Sequence, residues 1–314
     1  MIEQLRADTG RGLLQRSIDV SDAGEAAIVP AEPVAIVIDG PVLPGRVGGQ
    51  PLVAAAADPW LGNARIRVGP DESTLSDRGV IGTPSSIGRV SVDLPARPLG
   101  RWDEAAVLEV EMEGADFASL SRLAVLNGAG LLLVQGQAGW ELLAYREAIL
   151  VSDGHWSLTG LLRGLSGSGV GGAVSGSVIV VADETVVEAP LANEEIGLSL
   201  LWAVGNSAPV AAVFDDLGRL PWRVGHLQAH QSGADWRVTW TRRGAEISDN
   251  WSRPEMGNTG DFRVEVLLDG LVLETVQAST GSANIAVGGD EVRVAEMGDD
   301  GRMGAWASIP LLAA

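Results

Sequence analysis

The sequence contains no cysteine. Disulfides, thiolate metal ligands and cysteine nucleophiles are therefore excluded. Lysine is absent as well, so all 22 basic residues are arginine. That removes lysine Schiff-base chemistry and the P-loop reading. Tyr occurs once and Phe three times, against ten Trp. Basic residues are few: 22 face 41 acidic ones, a formal net charge of -19. Such a balance disfavours the phosphate backbone as a main partner, so no stable nucleic-acid binding is expected. Arg242 and Arg243 form the local exception. No apolar run approaches the ~18 residues of a membrane-spanning helix. The nearest, Leu123–Gln135, is interrupted by Asn127, Gly128 and Gly130. Weak alternation leaves open one strand pair crossing a membrane in an assembly. Met1–Arg11 carries charge and no long apolar stretch, unlike a signal peptide.

What is present is length, glycine and alternation. A chain of 314 residues, at about 150 per domain, divides into two or three domains. It is long enough to bury a core without staples. Ile2–Gln15 reads as a weak short helix broken at Asp8-Thr9-Gly10. From Pro33 the texture is that of short strands: Pro33–Asp39, Leu52–Ala57, Arg65–Val68 and Gly88–Leu94. In Val107–Met112, Glu109 and Glu111 share one face, and Leu108, Val110 and Met112 the other. Period two with acids on one face predicts a half-buried strand. Asp116–Leu120 suggests a helical turn. Gly130–Gln135 and Trp140–Tyr145 predict a hairpin around a four-residue turn, Gly136–Gly139. Gly154–Leu162 has no clear preference. Ser177–Ala182, Val186–Glu188, Leu198–Val204 and Pro209–Phe214 read as further strands.

Residues 163–177 hold six glycines in fifteen positions. Ordering them costs much backbone entropy. The stretch reads as a mobile exposed loop, or as one ordered only by a neighbouring subunit. A G-x-G-x-x-G can be traced through Gly167, Gly169 and Gly172, but no βαβ context follows it.

Composition shifts at Leu220-Pro221-Trp222, which places a domain boundary there. The expected division is an N-terminal extension over 1–32, a β-rich region over 33–220 and a final domain over 221–314. In that last part Trp236, Val238 and Trp240 alternate with Arg237, Thr239 and Thr241. Phe262, Val264, Val266 and Leu268 alternate in the same way, and Asp269-Gly270 signals a type I′ hairpin. Six or seven short strands in about 94 residues predict a fibronectin type III-like sandwich.

The chemistry-bearing residues are sparse. His226 and His230 are four apart, a metal spacing only on a helix, whereas the pattern there is strand. Glu109 and Glu111 are a carboxylate pair without cleft walls, read as a solvated face. Ser166-Gly167-Ser168-Gly169 lacks the strand-to-helix frame of a nucleophile elbow. Asp183-Glu184, Asp215-Asp216 and Asp299-Asp300 look like turns, where a calcium clip remains an open alternative. Trp236 and Trp240 point to the sandwich core. Trp251, in Asp249–Pro254, is the candidate exposed contact for a sugar or another protein.

Several segments resemble the C-terminal region of the tail-tip, or host-specificity, protein of gene transfer agents and related siphophages. They are Ala57-Asp58-Pro59-Trp60-Leu61-Gly62, Trp102-Asp103, Leu126–Ala129, Trp140-Glu141 and Tyr145-Arg146-Glu147-Ala148. The most specific is the run from Trp156 through Leu161-Leu162-Arg163-Gly164 to Gly167-Ser168. Leu220-Pro221, Trp240-Thr241-Arg242-Arg243 and Asp249-Asn250-Trp251 follow in order. Gly169 stands where the family has an acid, Leu220 where it has Arg, and Ser168 where it has Thr. The resemblance implies a mainly β tail-hub module followed by the sandwich. It also implies a trimeric structural role at the distal tail, with no cofactor, no metal and no catalysis. The family's glycoside hydrolase domain is expected to lie outside this chain. Copies of the chain, other tail or baseplate proteins and a host surface polysaccharide are the implied partners. Trp156, Arg163, Gly164, Gly167, Arg242, Arg243 and Trp251 are the candidate contacts. Arg163 suits either a subunit-interface ion pair or a local one. An acidic surface lining a channel would repel DNA rather than grip it. A carbohydrate-binding module and a glycan hydrolase fragment are the alternatives.

Overall fold

A computed structural model describes residues 32–60, 62–96, 102–233, 235–244 and 258–311. The expected N-terminal helix and Trp251 lie outside these residues.

The chain opens with strands β1 (Val34–Ile38), β2 (Leu52–Ala56), β3 (Ala64–Gly69) and β4 (Ser76–Ile81). It then leaves this sheet material and builds a barrel. The barrel elements are β5 (Ile87–Val90), β6 (Trp102–Glu111), helix α1 (Arg122–Leu126), β7 (Leu131–Gly136) and β8 (Gly139–Ala144). They continue with β9 (Glu147–Ser152), β10 (His155–Leu165) and β11 (Val178–Val181). Only afterwards do β12 (Val187–Glu188), β13 (Ser199–Val204) and β14 (Val210–Val213) return to complete the first two sheets. β12 joins β2 in the sheet β1-β2-β12, and β13 pairs β3 in the sheet β14-β13-β3-β4. The barrel is thus an insertion between β4 and β12.

Closure follows from one long strand. The order runs β6-β5-β11-β7-β8-β10, and β10 also pairs β6, so six strands form a ring. Every pairing in the ring is antiparallel. A closed sheet has no free edges to protect. β10 bends at Gly160, where φ is +62° and the register against β6 shifts. Its first half is flanked by β6 and β9, while its second half pairs β8. β9 therefore hangs off the ring as a flap whose outer edge pairs with no strand among the described residues, the Ser119 hydroxyl bonding it at Ala148.

The apolar run of β7 is explained by having two dry sides. Leu132 and Val134 point into the barrel core with Leu108, Val110, Leu158 and Ile179. Leu133 faces outward and packs with Leu142 and Val180 against Ile38, Leu52 and Ala54 of the β1-β2-β12 sheet. That sheet turns its other face, Val53 and Ala55, to Ile66, Val68 and Trp202 of the next one. A strand buried on both faces reads as continuous apolar sequence, as in Leu52–Ala56. Half-buried β6 keeps the alternation read for Val107–Met112: Leu108, Val110 and Met112 are buried.

Two local expectations are corrected and one open segment is resolved. Asp116–Leu120 is irregular, and the helix starts later. Ser121 caps it by accepting the Ala124 N–H at 3.1 Å, satisfying an orphan donor of the first turn. The β7–β8 turn has two residues, Gln137 and Ala138, because Gly136 and Gly139 are themselves paired. Gly154–Leu162, which showed no preference, is mostly the front of β10.

The final part comprises β15 (Gly225–Ser232), β16 (Asp235–Thr241), β17 (Thr259–Leu268) and β18 (Leu271–Thr280). It ends with β19 (Ser282–Ile285), β20 (Glu291–Met297) and β21 (Ala307–Pro310). These make two sheets, β15-β16-β19 and β18-β17-β20-β21, facing across one core. Trp236, Val238 and Trp240 meet Phe262, Val264, Val266 and Val294 there, as the alternation predicts. Asp269 and Gly270 both have positive φ, +50° and +78°, so the β17–β18 hairpin carries its type I′ signature.

Candidate functional site

The glycine-rich stretch folds back on its own chain, which corrects the expectation of an exposed loop or one completed by another subunit. Its first residues are the end of β10. Ala173 exchanges both backbone hydrogen bonds with Leu94, at 2.8 and 2.9 Å. The Gly172 carbonyl accepts the Gln137 N–H at 3.0 Å. Glycine is required where backbones crowd: a Cβ on Gly172 would sit 2.5 Å from the Leu94 oxygen, at a φ of +80°. The Ser168 hydroxyl donates to the Leu165 carbonyl at 2.8 Å and accepts the Leu142 N–H at 3.0 Å. It is a strut between loop and barrel.

Arg163 is 2 % exposed, and its partner lies in the same chain. Its Nε and Nη2 donate to the two oxygens of Glu141, at 2.8 and 2.6 Å, in a fork-to-fork pair. Nη1 donates to the Pro95 carbonyl at 2.6 Å. Gly164 adds its N–H to Glu141 at 3.2 Å. The subunit-interface alternative for Arg163 is therefore replaced by the local one. Buried charges persist only when paired and hydrogen-bonded in this way. Glu141 escaped functional notice in the sequence. Its signal was an acid alone in an apolar strand, with an arginine equally alone at Leu161-Leu162-Arg163.

Trp156 is also corrected as a contact residue. It is 8 % exposed, inside the barrel core. Phe117 stands edge-on to it at 5.4 Å and to Tyr145 at 5.5 Å, an aromatic cluster that closes one end of the core. Gly167 is a close-approach glycine: with φ at +75°, it lies directly against the Trp222 indole, where a Cβ would collide. Arg242 is tied to Glu296, with Nε donating at 2.7 Å. Arg243 lies over the Trp222 ring, 5.8 Å from its centroid.

Trp222 thus marks a junction where the barrel loop, residues 39–49 and the final two sheets meet. Asp39 accepts the N–H groups of Asp215 and Leu217 at 2.7 and 2.8 Å. Burial pushes its carboxyl above the usual carboxylate range, against those two hydrogen bonds. Arg302, between β20 and β21, donates to the Asp215 carbonyl at 2.6 Å. It also approaches the buried Asp216 carboxylate to 3.8 Å. Burial raises the Asp216 pKa, opposed by Arg219 and Arg302. Arg302 was not singled out in the sequence, because nothing local distinguishes a surface arginine that reaches 86 residues back, and Trp222 stood out only as part of the boundary at Leu220-Pro221-Trp222.

No three His, Asp or Glu side chains converge as a metal site among the described residues. His226 and His230 sit exposed on β15, as the strand reading predicts. Glu109 accepts from Ser157 at 2.9 Å, and Glu111 lies 3.2 Å from His155, so both acids serve β6–β10 pairing. β9 carries three consecutive exposed apolar residues. Ile149 and Val151 are 61 % and 64 % exposed, and Leu150 between them is exposed on the other face. Leu123 and Leu126 of α1 are exposed too.

The family described as Rcc01698-like, C-terminal, matches residues 85–180. This segment of the chain is similar to that family. Its limits run from just before β5 into β11, so the family segment is the inserted barrel with its glycine-rich loop. The tail-tip motifs from Trp102 to Ser168 fall within this stretch, while those at Ala57–Gly62 and from Leu220 onward lie outside it. No curated protein matches the chain. Among solved structures, the crystal structure of domains A168-A170 from titin is similar at 9 % identity. That alignment covers 90 % of this chain and 99 % of the titin chain, with a TM-score of 0.22, and carries no argument. Among the described residues no helix is long and apolar enough to cross a membrane.

Proposed function

We propose that the chain is a structural component of the tail tip or baseplate hub of a gene transfer agent or tailed phage. It acts in tail-end assembly and in host attachment or DNA delivery. The observation that carries this reading is the family match falling on the whole barrel. In this reading the chain is not an enzyme, and residues 221–314 form a fibronectin type III-like unit. The order β15-β16-β19 facing β18-β17-β20-β21 supports that last assignment. Its partners are further copies, in a trimer, and neighbouring tail proteins. The outer apolar edge of β9 supports a protein partner, since exposed edges pair with strands. The polysaccharide-binding alternative loses Trp156, which is buried.

The test is electron microscopy of particles assembled with a gold-labelled copy of this chain. Label at the distal end of the tail is expected. Label on the capsid, or particles that assemble and deliver DNA normally without the chain, would overturn the assignment.

A further inference from the structure

Arg223 and Arg243 are two neighbouring arginines at the Trp222 junction, whereas Arg46, Arg67 and Arg89, which also lack a carboxylate among the described residues, donate to backbone carbonyls instead. Arg242, one residue away, is satisfied by Glu296. Arg163, Arg78, Arg146 and Arg302 all have carboxylate partners. Among the described residues Arg243 has none within 4 Å, and neither has Arg223. The Arg243 stem is pinned against Gly225, whose Cβ position lies 3.2 Å from its Cδ, and its guanidinium is held over Trp222. Burial, then the like charge of Arg223, push its pKa below the ordinary arginine range.

Two neighbouring cations with no counter-ion among the described residues are costly in a half-buried setting. They are more unexpected in a chain of net charge -19, where acids outnumber bases 41 to 22. Arg243 lines a cleft of about 660 Å³ at the Trp222 junction. Two acids line it as well, Glu296, already held by Arg242, and Asp299. Its apolar lining includes Val42, Met297 and Val47, the last 96 % exposed. A sugar acid would use the arginines and leave the valine idle. A polypeptide uses both.

We propose that this cleft receives an acidic segment of a neighbouring polypeptide, its carboxylate on Arg243 beside Arg223, with flanking apolar side chains on Val47 and Met297. The argument rests on charge and geometry, independently of the tail-tip assignment. Arg243 offers a planar fork that is already held in place, which favours a carboxylate over a neutral group.

The experiment selects a random displayed peptide library against the full chain. Selected peptides are expected to carry Asp or Glu flanked by apolar residues. Their affinity should fall at least tenfold with Arg243→Gln, less with Arg223→Gln, and further as salt rises. Arg237→Gln, an exposed β16 arginine outside the cleft, should leave it unchanged. Thermal melts establish that each variant is folded. If R243Q does not fold, R223Q and competition by the Asn/Gln forms of the peptides decide the matter. Peptides without acids, equal binding by the folded variants, or displacement by glucuronate oligomers at similar concentration would overturn the proposal.

Discussion

Removing the Glu141 carboxylate isolates a cation inside the barrel wall. Glu141 accepts three hydrogen bonds, two from Arg163 and one from the Gly164 N–H. In Glu141→Ala the arginine keeps the Pro95 carbonyl and an Asp103 oxygen at 4.0 Å. Breaking a buried pair from one side costs about 3–5 kcal/mol, because the remaining charge is desolvated and uncompensated. At a urea slope of about 2 kcal/mol per M, that is a midpoint shift of roughly 2 M. Glu141→Gln preserves shape but not charge and should cost about 2–3 kcal/mol. The double variant Arg163→Met, Glu141→Leu removes both charges and should recover to within about 1–2 kcal/mol of the parent. Urea titrations followed by circular dichroism and tryptophan fluorescence, arranged as a double-mutant cycle, measure each step. The reasoning fails if E141A costs under ~1 kcal/mol. It also fails if the double variant is as unstable as the sum of the single ones.

Other outcomes are expected. Gly172→Ala forces a Cβ against the Leu94 carbonyl at positive φ and should destabilise by about 2–4 kcal/mol in the same titration. A loss under ~1 kcal/mol would mean that the loop is not held by the barrel. His155 is raised above its ordinary 6.5 by the Asp153 carbonyl and then by Glu111. Its stabilising contribution is therefore complete below pH 6.5 and disappears as pH rises through the folded value. An NMR titration of its imidazole should show a lower pKa in Glu111→Gln, and no change would remove Glu111 as a cause. Ile149→Glu with Val151→Lys should abolish association through β9 while leaving the melting temperature nearly unchanged, since both side chains are exposed. Unaltered sedimentation of the assembled species would exclude β9 from the contact.

The amino-acid order by itself determined the strands whose two faces differ. Leu108-Glu109-Val110-Glu111-Met112 and Trp236-Arg237-Val238-Thr239-Trp240 are half-buried, so period two is written into them. Asp269-Gly270 announced its turn because few residues adopt two successive positive φ values. The tail-tip motifs were legible in the same local way, as short runs around Trp102, Trp140 and Trp156. Tertiary structure alone decided which strands close the ring, since β6 and β10 meet across dozens of intervening residues and pairing partners leave no mark on either strand. It also decided the fate of the glycine-rich stretch. Glycines reduce local order in a free chain, yet they are what lets backbones such as Gly172 and Leu94 touch. Arg163 gave no local hint of its partner, because a charge's partner is set by where a low dielectric makes pairing obligatory. The placement of Arg243 is likewise a property of the assembled junction, in which its stem lies against Gly225 and its guanidinium over Trp222.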